Sequence, residues 1–204
     1  AAREFSLGER LLTEPRVLWF YVQLTFLPWL SALGLFHDDL ALSTSLFSPF
    51  STFLAIAAWG LLAGFALTRW CPRIVGFGLL FFLVGHAMEA TILPLDLVFE
   101  HRNYLPMLGL LLPPVYYLVV HGIPGLATRL PAGLLCLFAL WLGFTTFLRA
   151  SDWRSEASFS LAQYRHHPDS ARSAYQLGRL RAALVDTITD PQQRGEQLQE
   201  AAQL

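Results

Sequence analysis

The stretch that decides the fold is residues 17–36, a run of twenty residues without a charged side chain that reads VLWFYVQLTFLPWLSALGLF. A helix needs about 20 apolar residues to cross the hydrocarbon core of a bilayer. The rest of the chain agrees with this pattern, because 54% of its 204 residues are hydrophobic and only 14% are charged, against about 25% charged in soluble domains. The sequence therefore predicts an integral membrane protein and disfavours a soluble enzyme core or a disordered chain.

The charged residues and cysteines exclude further classes. All 14 basic residues are arginine, and the formal net charge is −1, so the chain has no electrostatic footprint for nucleic acid. Cys71 and Cys136 lie beside or inside apolar runs. Two such cysteines are too few for a disulfide scaffold or a cysteine-based zinc site.

Five apolar segments are long enough to be predicted as membrane helices. They cover residues 17–36, 52–68, 74–98, 103–120 and 130–148. The third is interrupted by ionisable residues, and prolines lie inside the first and fourth, where neighbouring helices can satisfy the freed carbonyl groups. We therefore predict an all-α chain in which residues 1–148 form a polytopic transmembrane bundle of about five spans, in contact with the lipid bilayer.

The distribution of arginine predicts the orientation, because cytoplasmic loops carry the excess of positive charge. With five crossings, one side has six arginines before or between the spans and the other side has Arg102 alone. The N-terminus is thus expected in the cytoplasm, and the residues after 148 in the periplasm or its equivalent. The polar start of the chain lacks the layout of a signal peptide, and the sequence is expected to be part of a longer one.

The composition changes at residue 149. Residues 149–204 carry seven arginines and seven acidic residues, with Leu and Ala at helical spacing. Pro168 is expected to end one helix, and Asp169 or Ser170 to cap the next. The Leu177-Gly178 pair follows Pro168 at the distance found in tetratricopeptide repeats, although a plain helical hairpin gives the same pattern. Residues 192–204 are predicted as a further helix.

Ionisable residues at membrane depth are costly and indicate function by default. His86, Glu89 and Asp96 fall on one face of the third segment, at helical spacing. One interpretation is a polar stripe for a substrate with an apolar tail and a charged head. The other is that His86 and Glu89 lock the packing of helices, by pairing with each other, with Gln23 or with a threonine. Asp96 is expected at the membrane interface.

The stripe leads to the densest polar cluster between two spans, which contains Glu100, His101, Arg102, Asn103 and Tyr104. The guanidinium group of arginine presents a fork of donors suited to phosphate oxygens. In one interpretation Glu100 orients this fork and Tyr104 anchors the interface. In the other the cluster is an interfacial salt bridge at the start of a helix.

A second outward-facing cluster contains His37, Asp38 and Asp39. Adjacent carboxylates can hold a divalent cation through oxygen ligands, whereas two acidic residues in an exposed loop are often simply solvated. The sequence alone leaves both interpretations open and does not define a metal site.

Several of these motifs together resemble a known family. The chain is similar to bacterial membrane proteins with C-terminal tetratricopeptide repeats, which are related to the TMTC protein O-mannosyltransferases of the GT-C class. The most specific segment is the run from residue 99 to residue 106, and weaker ones are residues 9–14, 37–39 and 43–46; they read FEHRNYLP, ERLLTE, HDD and STSL.

The resemblance implies transfer of a sugar from a polyprenyl-phosphate carrier to an acceptor protein held by the tail, on the periplasmic side. Such activity needs a catalytic carboxylate, and the candidates in this chain are Asp38, Asp39 and Glu100. The candidates for binding the lipid phosphate are five residues: Arg102, His101, Tyr104, His86 and Glu89.

Two departures limit that expectation. GT-C enzymes have more spans than five, and they place the catalytic carboxylate in a first outer loop that has no match here. The alternative function is a non-catalytic membrane anchor whose repeat-like tail recruits partners for envelope or pilus assembly. A transporter is a more distant alternative, since the spans show no internal repeat.

Overall fold

The computed structural model describes residues 5–87, 96–121 and 129–185. Within these ranges the chain is all-helical and contains no β-strand, which confirms the predicted class. The α-helices are α1 (Leu7–Phe26), α2 (Ser51–Ala66), α3 (Arg73–Ala87), α4 (Met107–Val115), α5 (Arg129–Asp152), α6 (Glu156–His166) and α7 (Ala171–Val185). Short 3-10 helices cover Leu30–Ala32 and Glu100–Asn103, and a π-helical turn covers Tyr116–His121.

The chain divides into two compact units. The first comprises Ala1–Pro28 and Ala41–Leu142, and the second comprises Trp29–Leu40 and Gly143–Leu204. The boundary near residue 143 lies close to the predicted one at 148. The sequence did not indicate, however, that the segment Trp29–Leu40 belongs with the C-terminal helices.

Helix α1 begins and ends about ten residues earlier than the first predicted span, 17–36, so those boundaries were wrong. It begins at Leu7 because Ser6 forms a capping box with Glu9, which satisfies donors at the helix N-terminus. It ends at Phe26, and the chain then meets Pro28, which has no N–H to continue the helix and restricts the residue before it. Its buried face includes an Arg10–Glu14 ion pair at 3.0 Å.

The helix bounds also correct the third and fourth predicted spans. Helix α3 is described only to Ala87, and residues 96–98 are not helical, so 74–98 is not a single helix over its described part. The α-helix of the fourth segment begins at Met107, directly after Pro106, rather than at residue 103. Pro113 and Pro114 lie inside α4. The helix widens into the π-helical turn soon after them, because proline removes backbone donors.

Within the described ranges, one helix is both long enough and apolar enough to cross a membrane. The stretch Leu130–Asp152 has 23 residues, and an 18-residue window within it has a mean hydropathy of 1.8 and is largely exposed. The apolar helices α2 and α3 have 16 and 15 residues. At 1.5 Å per residue they measure only about 24 Å and 22 Å, less than the roughly 30 Å of hydrocarbon. The structure therefore does not confirm a bundle of five spans.

In the first unit, α1 packs on α2 and α4, and α3 packs on α2 and α4. Trp59 of α2 is buried at the centre, stacked on Trp19 and Phe82 with ring centroids 4.5 and 5.6 Å apart. Its Nε1 donates to the carbonyl oxygen of Pro15 at 2.9 Å. This packing fixes the end of α3 that carries His86.

In the second unit, α6 and α7 form a helical hairpin. The Oγ atom of Ser170 accepts a hydrogen bond from the backbone N–H of Ser173 at 3.1 Å, as a cap at the start of α7 does. This places the turn at the predicted Pro168–Ser170 position. The predicted helix at residues 192–204 lies outside the described residues.

The cap on α1 makes a first prediction. The carboxylate of Glu9 accepts hydrogen bonds from the backbone N–H and hydroxyl of Ser6, which lowers the pKa of Glu9 below its ordinary value. A depressed carboxyl pKa stabilises the fold above the unfolded-state pKa, and this contribution is lost as the pH falls through the folded-state pKa. Ser6→Ala should lower the free energy of unfolding by about 0.5–2 kcal/mol at pH 7.

The difference between Ser6→Ala and wild type should shrink below the ordinary pKa of a glutamate, because protonated Glu9 no longer completes the capping box. Urea unfolding in detergent measures the free energies of unfolding of Ser6→Ala and wild type at pH 7 and at acid pH. Ser45→Ala, at an exposed serine, is the matched control. An equal destabilisation at both pH values would contradict the role of Glu9.

Candidate functional site

The first candidate site is the turn that precedes α4. Phe99 is held from α1, because the hydroxyl of Tyr21 accepts from the backbone N–H of Phe99 at 3.0 Å and donates to its carbonyl oxygen at 3.1 Å. The 3-10 helix Glu100–Asn103 follows directly. Two hydrogen bonds to one side chain thus fix where the predicted cluster begins.

Asn103, the only asparagine of the chain, fixes the other end of this turn. Its side-chain amide is buried and donates to the carbonyl oxygen of Tyr21 at 3.2 Å and to Oγ1 of Thr25 at 3.1 Å. Its Oδ1 lies 3.3 Å from Nε2 of His86. An amide oxygen can only accept a hydrogen bond, so the His86 ring carries its proton on Nε2 and donates it to Oδ1 of Asn103. We call Tyr21, Thr25, His86 and Asn103 the buried polar network.

The structure places His86 inside this network rather than at an open surface. The residue is 2% exposed, its ring stacks on that of Tyr21 at 4.9 Å, and Phe82 meets it edge-on at 4.8 Å. These contacts favour the interpretation that His86 locks helix packing, with Asn103 and Thr25 as its polar neighbours. Its role in binding lipid phosphate stays a prediction. Glu89 lies outside the described residues.

Arg102 is held in a defined orientation beside the network. Its Nη1 donates to the carbonyl oxygen of Asp96 at 2.6 Å, and its guanidinium carbon lies 4.7 Å from the centre of the Phe99 ring. The side chain is half-buried, as is Glu100, whereas His101 and Tyr104 are exposed. The turn therefore leaves Glu100, His101 and Arg102 at least partly accessible to solvent. An arginine stacked on an aromatic ring in this way is suited to planar recognition of oxyanions.

The second candidate site lies wholly within the second unit. Asp38 accepts hydrogen bonds from the hydroxyl of Ser170 and, at 3.2 Å, from the backbone N–H of Arg172. A carboxylate at the first turn of α7 complements the partial positive charge of the helix N-terminus. Asp38, predicted as catalytic, thus acts as an additional cap in this structure.

The neighbouring Asp39 contacts a different residue of the hairpin. Its Oδ2 lies 2.8 Å from Nδ1 of His167, and the ring of His37 meets that of His167 edge-on at 5.0 Å. One potential ligand atom from each of these three residues lies within 4.8 Å of the other two. Asp38 and Asp39 therefore do not converge on one point as a pair of carboxylates.

Gln163 joins the same segment to α6. It is 1% exposed; its Oε1 accepts from the backbone N–H of Leu35 at 3.0 Å, and its Nε2 donates to the carbonyl oxygen of Phe36 at 3.4 Å. Gly34 makes this approach possible, because a Cβ there would lie 2.6 Å from Nε2 of His167 and 2.8 Å from Nε2 of Gln163. Gly34 cannot become alanine unless these buried side chains move.

Sequence reasoning missed the contributions of Tyr21, Asn103, Gln163 and His167. Asn103 was predicted only as part of a polar cluster, and His167 precedes Pro168, which was predicted only to end a helix. An asparagine in an apolar chain that has no other asparagine was the signal available for the first site. Nothing in the sequence links Gln163 or His167 to residues more than 120 positions earlier.

Comparisons of the chain with models of protein families, with curated proteins and with solved structures give no match.

Proposed function

We propose that the chain is a membrane glycosyltransferase-like protein of the bacterial inner membrane, which transfers a sugar from a polyprenyl-phosphate carrier to an acceptor protein on the periplasmic side. The observation that carries this proposal is the oriented guanidinium group of Arg102, in a turn anchored by buried hydrogen bonds in a largely apolar unit. A lipid phosphate needs this combination of apolar surface and fixed cationic donors.

The proposal includes a transmembrane domain with about five spans and a cytoplasmic N-terminus. The length and exposed apolar surface of α5 support a location in the membrane, since Leu137, Leu140 and Phe147 are each at least 65% exposed. Exposed apolar area on this scale marks a membrane or protein contact. In this arrangement Arg102 faces the periplasm with Glu100 as the nearby acid, and the C-terminal hairpin, as a repeat-like module, holds the acceptor.

Binding of polyprenyl phosphate tests the proposal. Arg102→Ala should weaken binding to the purified chain in detergent by about 10- to 100-fold, because a hydrogen bond to a charged group contributes about 1.5–3 kcal/mol. Arg154→Ala is the matched control, since it removes an exposed arginine on the same predicted side of the membrane. Equal affinity of Arg102→Ala and wild type would contradict the assignment of the phosphate to Arg102.

A second candidate function is a membrane-anchored scaffold. It is favoured by the contacts of Asp38 and Asp39, two of the three predicted catalytic carboxylates, which hold the C-terminal hairpin. It is also favoured by a groove of about 450 Å³ on α7, lined by Phe36, Arg172, Tyr175 and Arg179 among others. The scaffold predicts no saturable binding of polyprenyl phosphate by wild type, so the same titration separates the two functions.

A further inference from the structure

The three residues His37, Asp39 and His167 combine ligand types that the predicted carboxylate pair did not. Two imidazoles and one carboxylate are a ligand set of zinc sites that keep a fourth position for water, and imidazole also suits copper and nickel. Purely oxygen-binding ions such as Ca²⁺ and Mg²⁺ prefer carboxylates and carbonyls instead. The composition of the cluster therefore favours a borderline transition metal ion.

The spacing of the atoms is compatible with such an ion. In a tetrahedral site with bonds of about 2.0–2.1 Å, neighbouring ligand atoms are about 3.3 Å apart. Here Nδ1 of His167 and Oδ2 of Asp39 are 2.8 Å apart, and all three ligand atoms lie within 4.8 Å of one another. Small side-chain rotations would therefore bring the three atoms to coordinating distance without a change of backbone.

A second observation concerns the other ring nitrogen of His167. His167 is 5% exposed, and its Nε2 is buried without a hydrogen-bond partner among the described residues. Buried polar atoms are normally satisfied, and an exception in a folded protein calls for an explanation such as a missing ion or water. Coordination of an ion through Nδ1 would keep the ring proton on Nε2, and that N–H would then donate to a separate water molecule.

We propose that His37, Asp39 and His167 bind a zinc ion or a similar divalent transition metal ion, which fastens the segment Trp29–Leu40 to the α6–α7 hairpin. Asp38 is not a ligand of this site, because its oxygens accept from Ser170 and Arg172. The ion stabilises the folded second unit, since a preformed set of ligands does not exist in the unfolded chain. The proposal does not depend on glycosyl transfer.

Metal titration of the full chain in detergent tests the site. After removal of metal with a chelator, wild type should bind one zinc ion in competition with a chromophoric chelator, and zinc should raise its Tm. Asp39→Asn and His167→Gln should each lower the affinity at least about 100-fold, since loss of even an outer-sphere partner costs about 10- to 100-fold. His166→Gln, at the adjacent histidine outside the cluster, should bind as wild type does.

Cobalt(II) substitution identifies the ligands. The proposed site gives visible d–d bands without a thiolate charge-transfer band, whereas binding at Cys71 or Cys136 would show that band. Because His167 is buried and its variant could misfold, His37→Gln and Asp39→Asn, outside the helices, provide an independent test. The proposal is overturned if wild type binds no zinc, if the three variants bind as tightly as wild type, or if the thiolate band dominates.

Discussion

Asn103→Ala is expected to lower the free energy of unfolding by about 2–4 kcal/mol. The same substitution should also weaken the binding of polyprenyl phosphate. The substitution leaves Nε2–H of His86 buried without its acceptor. It also removes the amide N–H that donates to Oγ1 of Thr25. Each buried polar group left unsatisfied costs about 1–3 kcal/mol. Because Asn103 also ends the turn that carries Arg102, the guanidinium group would lose its fixed position.

Thermal or urea unfolding and lipid titration of the same preparations measure both effects. Gln23→Ala is the matched control for stability, since Gln23 is an exposed amide on α1 and should change the free energy of unfolding by less than about 0.5 kcal/mol. Asn103→Asp retains an acceptor for His86 but has no amide donors, so we expect an intermediate Tm. A fully stable Asn103→Ala variant would show that the buried polar network does not hold the turn.

The second large effect is expected at the contact between α3 and α4. A Cβ added to Gly78 would collide with the carbonyl oxygen of Gly109, and it would lie 3.0 Å from the ring of Pro113. Neither a backbone carbonyl nor a proline ring can move aside as a flexible side chain does. Gly78→Leu should therefore cost about 3 kcal/mol or more, at the upper end of overpacking penalties.

Gly64→Leu on α2 is the control, because a Cβ at Gly64 meets nothing within 4 Å. Leucine has a higher helix propensity than glycine by up to about 1 kcal/mol, so this variant should be as stable as wild type or slightly more stable. Thermal unfolding and size-exclusion chromatography in detergent compare the two. Similar Tm values for both variants would mean that α3 and α4 are not in tight contact at Gly78.

The sequence predicted the elements that depend on local signals. The all-α class, the fifth apolar helix and the hairpin turn after Pro168 are confirmed, because hydrophobic composition and proline act within a few residues. The predicted start of the first helix was wrong, because the Ser6–Glu9 capping box begins α1 ten residues before the uncharged run does. A helix that carries charged residues through its first half was not expected to continue into that run.

The candidate sites were predictable only in part. Polar clusters at residues 37–39 and 100–104 were visible as interruptions of apolar sequence. Their partners were not, because the contacts of Asn103 with α1 and of Asp39 with His167 join residues separated by about 80 and 128 positions. Such contacts follow from packing, and a single sequence has no periodicity that reports them. Catalysis by Asp38, Asp39 or Glu100 stays a prediction.

The contact of Gln163 with Leu35 has a consequence for biosynthesis. The two residues are 128 positions apart, and a ribosome adds about 5–20 residues per second. The segment Trp29–Leu40 is thus made roughly 6–26 seconds before its partner helix exists. During that interval the carboxylates and backbone donors of this segment have to be hydrated or held by another molecule, and the second unit can form only after α6 and α7 have emerged from the ribosome.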